Sequence, residues 1–210
     1  MLDSIAQFLD WFGLCVFALT GALVASRKQM DIVGFALLGS VTGIGGGTIR
    51  DVLMGALPVF WVQKPTYLLT CVLVSCAAFF VAHLVQSRQR LLIWADAVGL
   101  ALFSVTGADI AQNQGAGFVI AIALGVATAT FGGIIRDILG GDIPVILRRE
   151  IYVTAAVLGS SVFAISLQLG FTKNISLATG FLAALALRAA AIRFDLSLPI
   201  FVSSGGNNNS

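Results

Sequence analysis

The chain has 210 residues, of which 58% are hydrophobic and 10% charged, and its mean hydropathy is +0.99. A soluble domain carries about a quarter charged residues. Water is therefore excluded as the main solvent of this surface, and a lipid bilayer takes its place. The net charge of +2 is too weak to argue for nucleic acid as a partner.

A spanning helix needs about 20 mostly apolar residues, and seven segments meet that requirement, at 5–25, 31–54, 66–86, 91–111, 116–139, 151–172 and 174–194. The first is not a secretory signal: the start of the chain carries Asp3 and Asp10 and no Lys or Arg comes before Arg27, the reverse of the signal charge order. The third ends near His83, the single histidine, which reads as an interfacial residue rather than a ligand. The sixth carries no charge at all. Cys15, Cys71 and Cys76 lie inside apolar stretches, and their odd count and unpaired spacing argue against a disulfide framework. No cofactor or metal is expected. Connections are short, so residues 1–204 form a single transmembrane domain of the all-α polytopic class. Residues 205–210, Gly-Gly-Asn-Asn-Asn-Ser, read as a linker or cloning remnant.

Two stretches repeat each other without a gap. The first reads Gly45-Gly-Gly-Thr-Ile-Arg-Asp-Val-Leu-Met-Gly55-Ala-Leu-Pro58 and the second Phe131-Gly-Gly-Ile-Ile-Arg-Asp-Ile-Leu-Gly-Gly141-Asp-Ile-Pro144. The offset is 86 residues, 136 − 50. At the same offset Asp10, Gly13, Leu14 and Phe17 fall on Asp96, Gly99, Leu100 and Phe103, and Thr20-Gly21-Ala22 on Thr106-Gly107-Ala108. Leu38, Gly39 and Thr42 fall on Leu124, Gly125 and Thr128. Chance alignment of apolar sequence matches Leu and Ala, not Asp, Thr, Arg and Pro in register. Each repeat, 5–86 and 91–172, holds three spans. Three is odd, so the second copy enters the membrane from the opposite side and the repeats are inverted. The seventh helix, 174–194, is an appendix without a counterpart.

Orientation follows from Lys and Arg. With Arg50 and Arg136 set aside as intramembrane, the N-terminal side holds Lys64 and Lys173. The other side holds Arg27, Lys28, Arg88, Arg90, Arg148, Arg149, Arg188 and Arg193. Positive residues stay cytoplasmic. The N-terminus is therefore expected outside and the C-terminus in the cytoplasm, in the inner (plasma) membrane of a prokaryote.

Glycine costs roughly 1 kcal/mol relative to alanine inside a helix, and unwound backbone at membrane depth survives only against protein or water. The second span is therefore expected to break at Gly45, Gly46 and Gly47, and the fifth at Gly132 and Gly133. Carbonyl groups freed at such breaks suit a partly dehydrated cation. The competing reading is close helix packing, which small residues permit. Packing does not call for charge, however, and Arg50-Asp51 and Arg136-Asp137 follow three residues on. Adjacent helical residues do not face each other, so other partners are expected: Asp10 for Arg50 and Asp96 for Arg136. The competing reading is that all four simply reach the interface. Thr48-x-x-Asp51 resembles a capping box that restarts a helix, although Ile134 replaces the threonine in the second copy. Pro58 and Pro144 are expected to end the spans. Gly43-Ile-Gly45-Gly-Gly47 lacks the strand–helix context of a dinucleotide fingerprint, and no catalytic constellation is present, so the chain does not read as an enzyme.

At these residues the chain resembles the prokaryotic relatives of the trimeric intracellular cation channels. The resemblance covers 5–194 and rests on the doubled Gly-Gly-x-x-Arg-Asp motif. It implies a homotrimer in which each protomer carries its own pore, formed by spans one, two, four and five and conducting K⁺ and Na⁺. Gly45–Gly47 and Gly132-Gly133 would line that pore, with Arg50 and Arg136 as its charged groups. The lysine-containing motif on the second span of animal members is not visible here, which puts lipid-phosphate regulation and voltage sensing by that lysine in doubt. Phe131 replaces the first glycine of the second copy. The resemblance also implies carriers of small amino acids such as glycine within the same prokaryotic family. A carrier for such a zwitterion, with arginine holding the carboxylate, is therefore the alternative to a passive channel. A non-transporting scaffold leaves the recurrence of costly charges unexplained.

Overall fold

In a computed structural model the described residues are 2–84, 88–148 and 150–198. The tail at 205–210 and Arg149 lie outside the described residues, as does the side chain of Arg88. The described residues form eight α-helices: α1 (Leu2–Arg27), α2 (Ile32–Met54), α3 (Phe60–Gln63), α4 (Thr66–Val81), α5 (Arg88–Asn113), α6 (Phe118–Leu139), α7 (Val153–Gln168) and α8 (Lys173–Phe194). Short 3-10 turns follow α4 at Ala82–Leu84 and precede α7 at Val145–Leu147. Among the described residues there is no strand, only an isolated bridge between Glu150 and Ser197. Five helices, α1, α2, α5, α6 and α8, are long and apolar enough to cross a membrane. The expected third and sixth spans are shorter, at 16 residues each for α4 and α7.

Local signals set the helix ends. Asp31 caps α2, its Oδ1 accepting from the Gly34 N–H at 2.8 Å. Gly55 ends α2 in the left-handed region at φ 67°, its N–H closing on the Asp51 and Val52 carbonyls. Gly140 ends α6, and Gly141 turns the chain at φ 69°. The prolines expected to end these spans come later. Glycine stops each helix first, and Pro58 and Pro144 lead into α3 and the second 3-10 turn.

The centre is a quartet. α1 packs on α2 and α5, and α6 packs on α2 and α5. α4 covers α1 and α2, whereas α7 covers α5 and α6, with α8 behind α5 and α7. Contacts show that α1 and α5 run antiparallel: Gly13 lies against the Phe103 ring, and Gly99 against Phe17. The two Arg-Asp motifs therefore sit at opposite ends of the quartet. Between them Leu14, Phe17, Leu100 and Phe103 form a buried apolar layer, with Phe17 and Phe103 edge to face at 4.9 Å. Outward faces carry exposed Val33, Leu37, Val119, Ile120 and Leu182. Exposed aliphatics of this kind suit lipid.

The expected breaks at Gly45–Gly47 and Gly132-Gly133 do not occur, because α2 and α6 are helical throughout. Their glycines let the two helices touch. A Cβ on Gly46 would stand 2.0 Å from the Thr128 carbonyl oxygen, and one on Gly132 would stand 2.4 Å from that of Thr42. Thr42 and Thr128 are equivalent at the repeat offset, as are Gly46 and Gly132, so the crossing is built twice from the same pair. Intact helical hydrogen bonds avoid the cost of free carbonyls at this depth, and the close approach replaces them as the reason for glycine.

Candidate functional site

Each Arg-Asp pair lies in the last turns of its helix, and each folds onto itself. Arg50 Nε and Nη2 donate to Asp51 Oδ1 at 3.0 and 2.7 Å. Arg136 does the same to Asp137, with both contacts at 2.9 Å. The expectation that neighbours would not meet fails because the long arginine side chain curls back over the short aspartate. The second aspartate oxygen ties down the chain beyond the proline. Asp51 Oδ2 accepts from the Phe60 N–H at 2.8 Å, at the start of α3. Asp137 Oδ2 accepts from the Val145 N–H at 3.1 Å. Thr48 restarts no helix. Its hydroxyl donates to the Ile44 carbonyl at 2.7 Å and accepts from Trp61 Nε1 at 3.0 Å, holding α3 against α2.

The two ends then diverge. Arg136 Nη1 donates to Asp96 Oδ1 at 2.6 Å and to the Thr20 hydroxyl at 3.1 Å, with Arg136 1% exposed. This is the expected Asp96–Arg136 pair. The expected Asp10–Arg50 pair is not made: among the described residues no ion pair links them. Asp10 lines the same cavity as Tyr67 and Arg50 and, among the described residues, forms an ion pair with neither arginine. Arg50 instead rests over the Phe60 ring, 5.8 Å from its centre.

A cavity of about 180 Å³ opens at the Arg50 end, lined by Asp10, Gly43, Gly47, Arg50, Asp51 and Tyr67, and it reaches inward to Phe103 and Thr128. The Arg136 end holds about 50 Å³, against Asp96, Arg136, Asp137 and Arg188. Of the predicted glycines, Gly47 thus borders open space, and Gly133 faces Tyr152 and Arg136. Gly45 lies against Ile135, whereas Gly46 and Gly132 are consumed by the helix crossing.

A family model described as Glycine transporter matches residues 7–83 and again 93–168, two matches that coincide with the two repeats. The UPF0126 inner membrane protein YadS of Escherichia coli K12 is 43% identical over 205 residues, covering 94% of this chain and 96% of that protein. A UPF0126 membrane protein of Vibrio cholerae is 42% identical over 202 residues, covering 94% and 83%. A solved structure of the TRIC trimeric intracellular cation channel orthologue from Rhodobacter sphaeroides is 60% identical, with a TM-score of 0.90, covering 92% of this chain and 100% of that one. The chain belongs to the TRIC family. It is a membrane protein of that family's prokaryotic branch.

Several residues of this TRIC site escape a reading at constant offset. Beyond the prolines the repeat slips by one position: Phe60 matches Val145 as the acceptor-held N–H, 145 − 60 = 85. At that offset Tyr67 falls on Tyr152 and Ser75 on Ser160. The serines confirm the register, since a Cβ on Gly39 would strike Ser75 Oγ and one on Gly125 would meet Ser160 Oγ at 2.7 Å. The visible signal is a tyrosine followed eight positions later by a serine, at Tyr67 and Ser75 and again at Tyr152 and Ser160. Arg188 carries no such signal. It reaches from α8 to Glu150 at 2.5 Å and stacks 5.2 Å from the centre of the Tyr152 ring. The helix read as an appendix therefore braces the Arg136 end.

Outside this TRIC core, Lys28 Nζ meets Asp142 Oδ1 at 2.7 Å and Arg27 meets Asp142 Oδ2 at 3.5 Å, strapping the α1–α2 loop to the turn after α6. The hydrogen bond from Lys28 holds the Asp142 carboxyl below its ordinary value of 3.8. A lowered folded value means that the strap stabilises fully above the ordinary value and is lost as pH falls through the lowered one. Asp142→Asn should cost no more than about 1 kcal/mol at pH 7, because the groups are partly exposed. The difference from the unmodified protein should vanish in strong acid. Melting curves in detergent across pH check both limits.

Proposed function

We propose that the protein is a cation channel for K⁺ and Na⁺ with a path inside each protomer, between α1, α2, α5 and α6. The observation that carries this reading is the cavity at the Arg50 end, which runs from Asp10 and Asp51 to Thr128 at the centre of the quartet. Its arginines do not forbid a cation. Asp51 neutralises Arg50, and Asp96 with Asp137 neutralise Arg136. Arg136, Asp96 and Thr20 then act as the gate at the sealed end. Kinship with the cation channel orthologue at 60% identity supports the same reading.

In the membrane we place seven spans as two inverted three-helix repeats and a seventh helix, α8. α4 and α7 cover about 24 Å each at 1.5 Å per residue, and adjoining turns extend them toward the roughly 30 Å core. The N-terminus lies outside the plasma membrane and the Arg136 end faces the cytoplasm, following the Lys and Arg bias. Three copies assemble into a homotrimer, each with its own path, as the trimeric orthologue's name supports.

The family description favours one second reading, a carrier for glycine, with arginine taking the carboxylate. Recording from reconstituted bilayers separates the two. The channel predicts unitary currents whose reversal potential follows the K⁺ gradient. Saturable glycine uptake without unitary current overturns it.

A further inference from the structure

The two ends of the quartet are built from the same parts but hold them differently. At the Arg136 end Asp96 is bound by arginine, at 2.6 Å, and the space is nearly filled. Tyr152 is 2% exposed there, and its hydroxyl has no hydrogen-bond partner among the described residues. A buried hydroxyl left unpaired carries a desolvation penalty, so its retention requires a reason. Its neighbours supply one. The point where a Gly133 Cβ would lie is 3.0 Å from the Tyr152 hydroxyl, 3.5 Å from Arg136 Nη2 and 3.7 Å from Asp96 Oδ1. Glycine at 133 thus keeps open the gap between the tyrosine, the arginine and the carboxylate.

At the Arg50 end the equivalent carboxylate, Asp10, has tyrosine as its neighbour. Arg50 is turned to Asp51 alone, and the cavity is open. Tyr67 is held for that role by the Trp11 ring stacked on it at 4.2 Å. Repeat one therefore displays an arrangement that repeat two has the parts to adopt.

We propose that Tyr152 is the alternate partner of Asp96, so that the Arg136 end opens when Arg136 leaves Asp96 for Asp137 alone and the tyrosine hydroxyl donates to the freed carboxylate. The inference rests on reading the two cavities as one path. The exchange needs no net proton transfer: one donor replaces another on the same oxygen. Asp137 keeps Arg136 paired throughout, so no charge is left bare. Arg188, stacked on the Tyr152 ring and tied to Glu150, fixes the ring while the hydroxyl changes partner.

The test uses the full chain with its three cysteines replaced by alanine and Leu92→Cys as a reporter. Leu92 lines the sealed space and is 7% exposed. An impermeant maleimide, applied to proteoliposomes from the face that carries Lys28 and Arg148, reads how often that end opens. Tyr152→Phe keeps the ring on Arg188 and should slow labelling by about three- to tenfold, the worth of one net hydrogen bond, with the melting temperature little changed. Tyr67→Phe should leave the reporter's rate as it was. Asp96→Asn, which weakens the hold on Arg136, should raise it. Unchanged or faster labelling in Tyr152→Phe overturns the proposal. Labelling does not depend on current. A protein that passes this test but conducts no ions would keep the switch and refute the channel, whereas conduction with unaltered labelling would do the reverse.

Discussion

Arg136→Leu is expected to destabilise the protein by about 3–5 kcal/mol. Arg136 is 1% exposed and Asp96 and Asp137 are 3% and 4% exposed, and all three share one cluster. Leucine leaves two buried carboxylates facing each other with no cation between them. Asp137 keeps the Val145 N–H, whereas Asp96 loses its ionic partner and has only the neutral Tyr152 hydroxyl to take its place. Arg50→Leu changes the same residue type at the equivalent position and should cost less, about 1–3 kcal/mol. Asp51 retains the Phe60 N–H, Asp10 retains its tyrosine neighbour, and the cavity beside them admits water. Thermal unfolding in detergent ranks the two variants. Equal losses would mean that the two ends are equivalent despite their different partners. Where either variant folds, preserved transport would remove that arginine from the proposed path.

The fold was legible in the sequence because its signals were local and doubled. Apolar length located the five long helices, and Asp31 and Gly55 marked where α2 begins and ends. The register of Arg50 with Arg136 located both motifs. What stayed hidden depended on geometry between helices. Consecutive glycines are consistent with a broken helix and with a close crossing, and only the partner backbone at Thr42 and Thr128 decides. Spacing rules placed Arg50 and Asp51 on different sides of α2, yet a flexible guanidinium bends back to its neighbour. Asp10 and Asp96 are equivalent at the repeat offset, and the difference between them comes from which side chain each meets. The tyrosines were missed because one residue is lost after the prolines, which puts Tyr67 and Tyr152 out of step with the motif. Arg188 was missed because nothing in repeat one corresponds to it.

The crossing of α2 and α6 gives the second large effect, and here two physical contributions have opposite signs. Helix propensity favours Gly46→Ala and Gly132→Ala by about 1 kcal/mol each. Sterics oppose both, since the added methyl would lie 2.0 Å or 2.4 Å from a backbone carbonyl oxygen of the facing helix. A backbone oxygen has no rotamer to escape into, so the helices must separate by about an ångström or more. Separation would loosen the layer of Phe17 and Phe103 beneath them, Phe17 itself packing on Gly132. Overpacking of a close-fitted interior costs about 1–3 kcal/mol and occasionally more, and this contact lies at the severe end. Each variant should therefore lose stability, by about 3 kcal/mol. Gly117→Ala, before α6, is the control: nothing lies within 4 Å of its added Cβ and its φ is −64°. That variant should melt with the unmodified protein. If the propensity gain prevails and Gly46→Ala melts higher, the close crossing is not what requires glycine there. A broken or kinked helix would then again be the better account of the doubled motif.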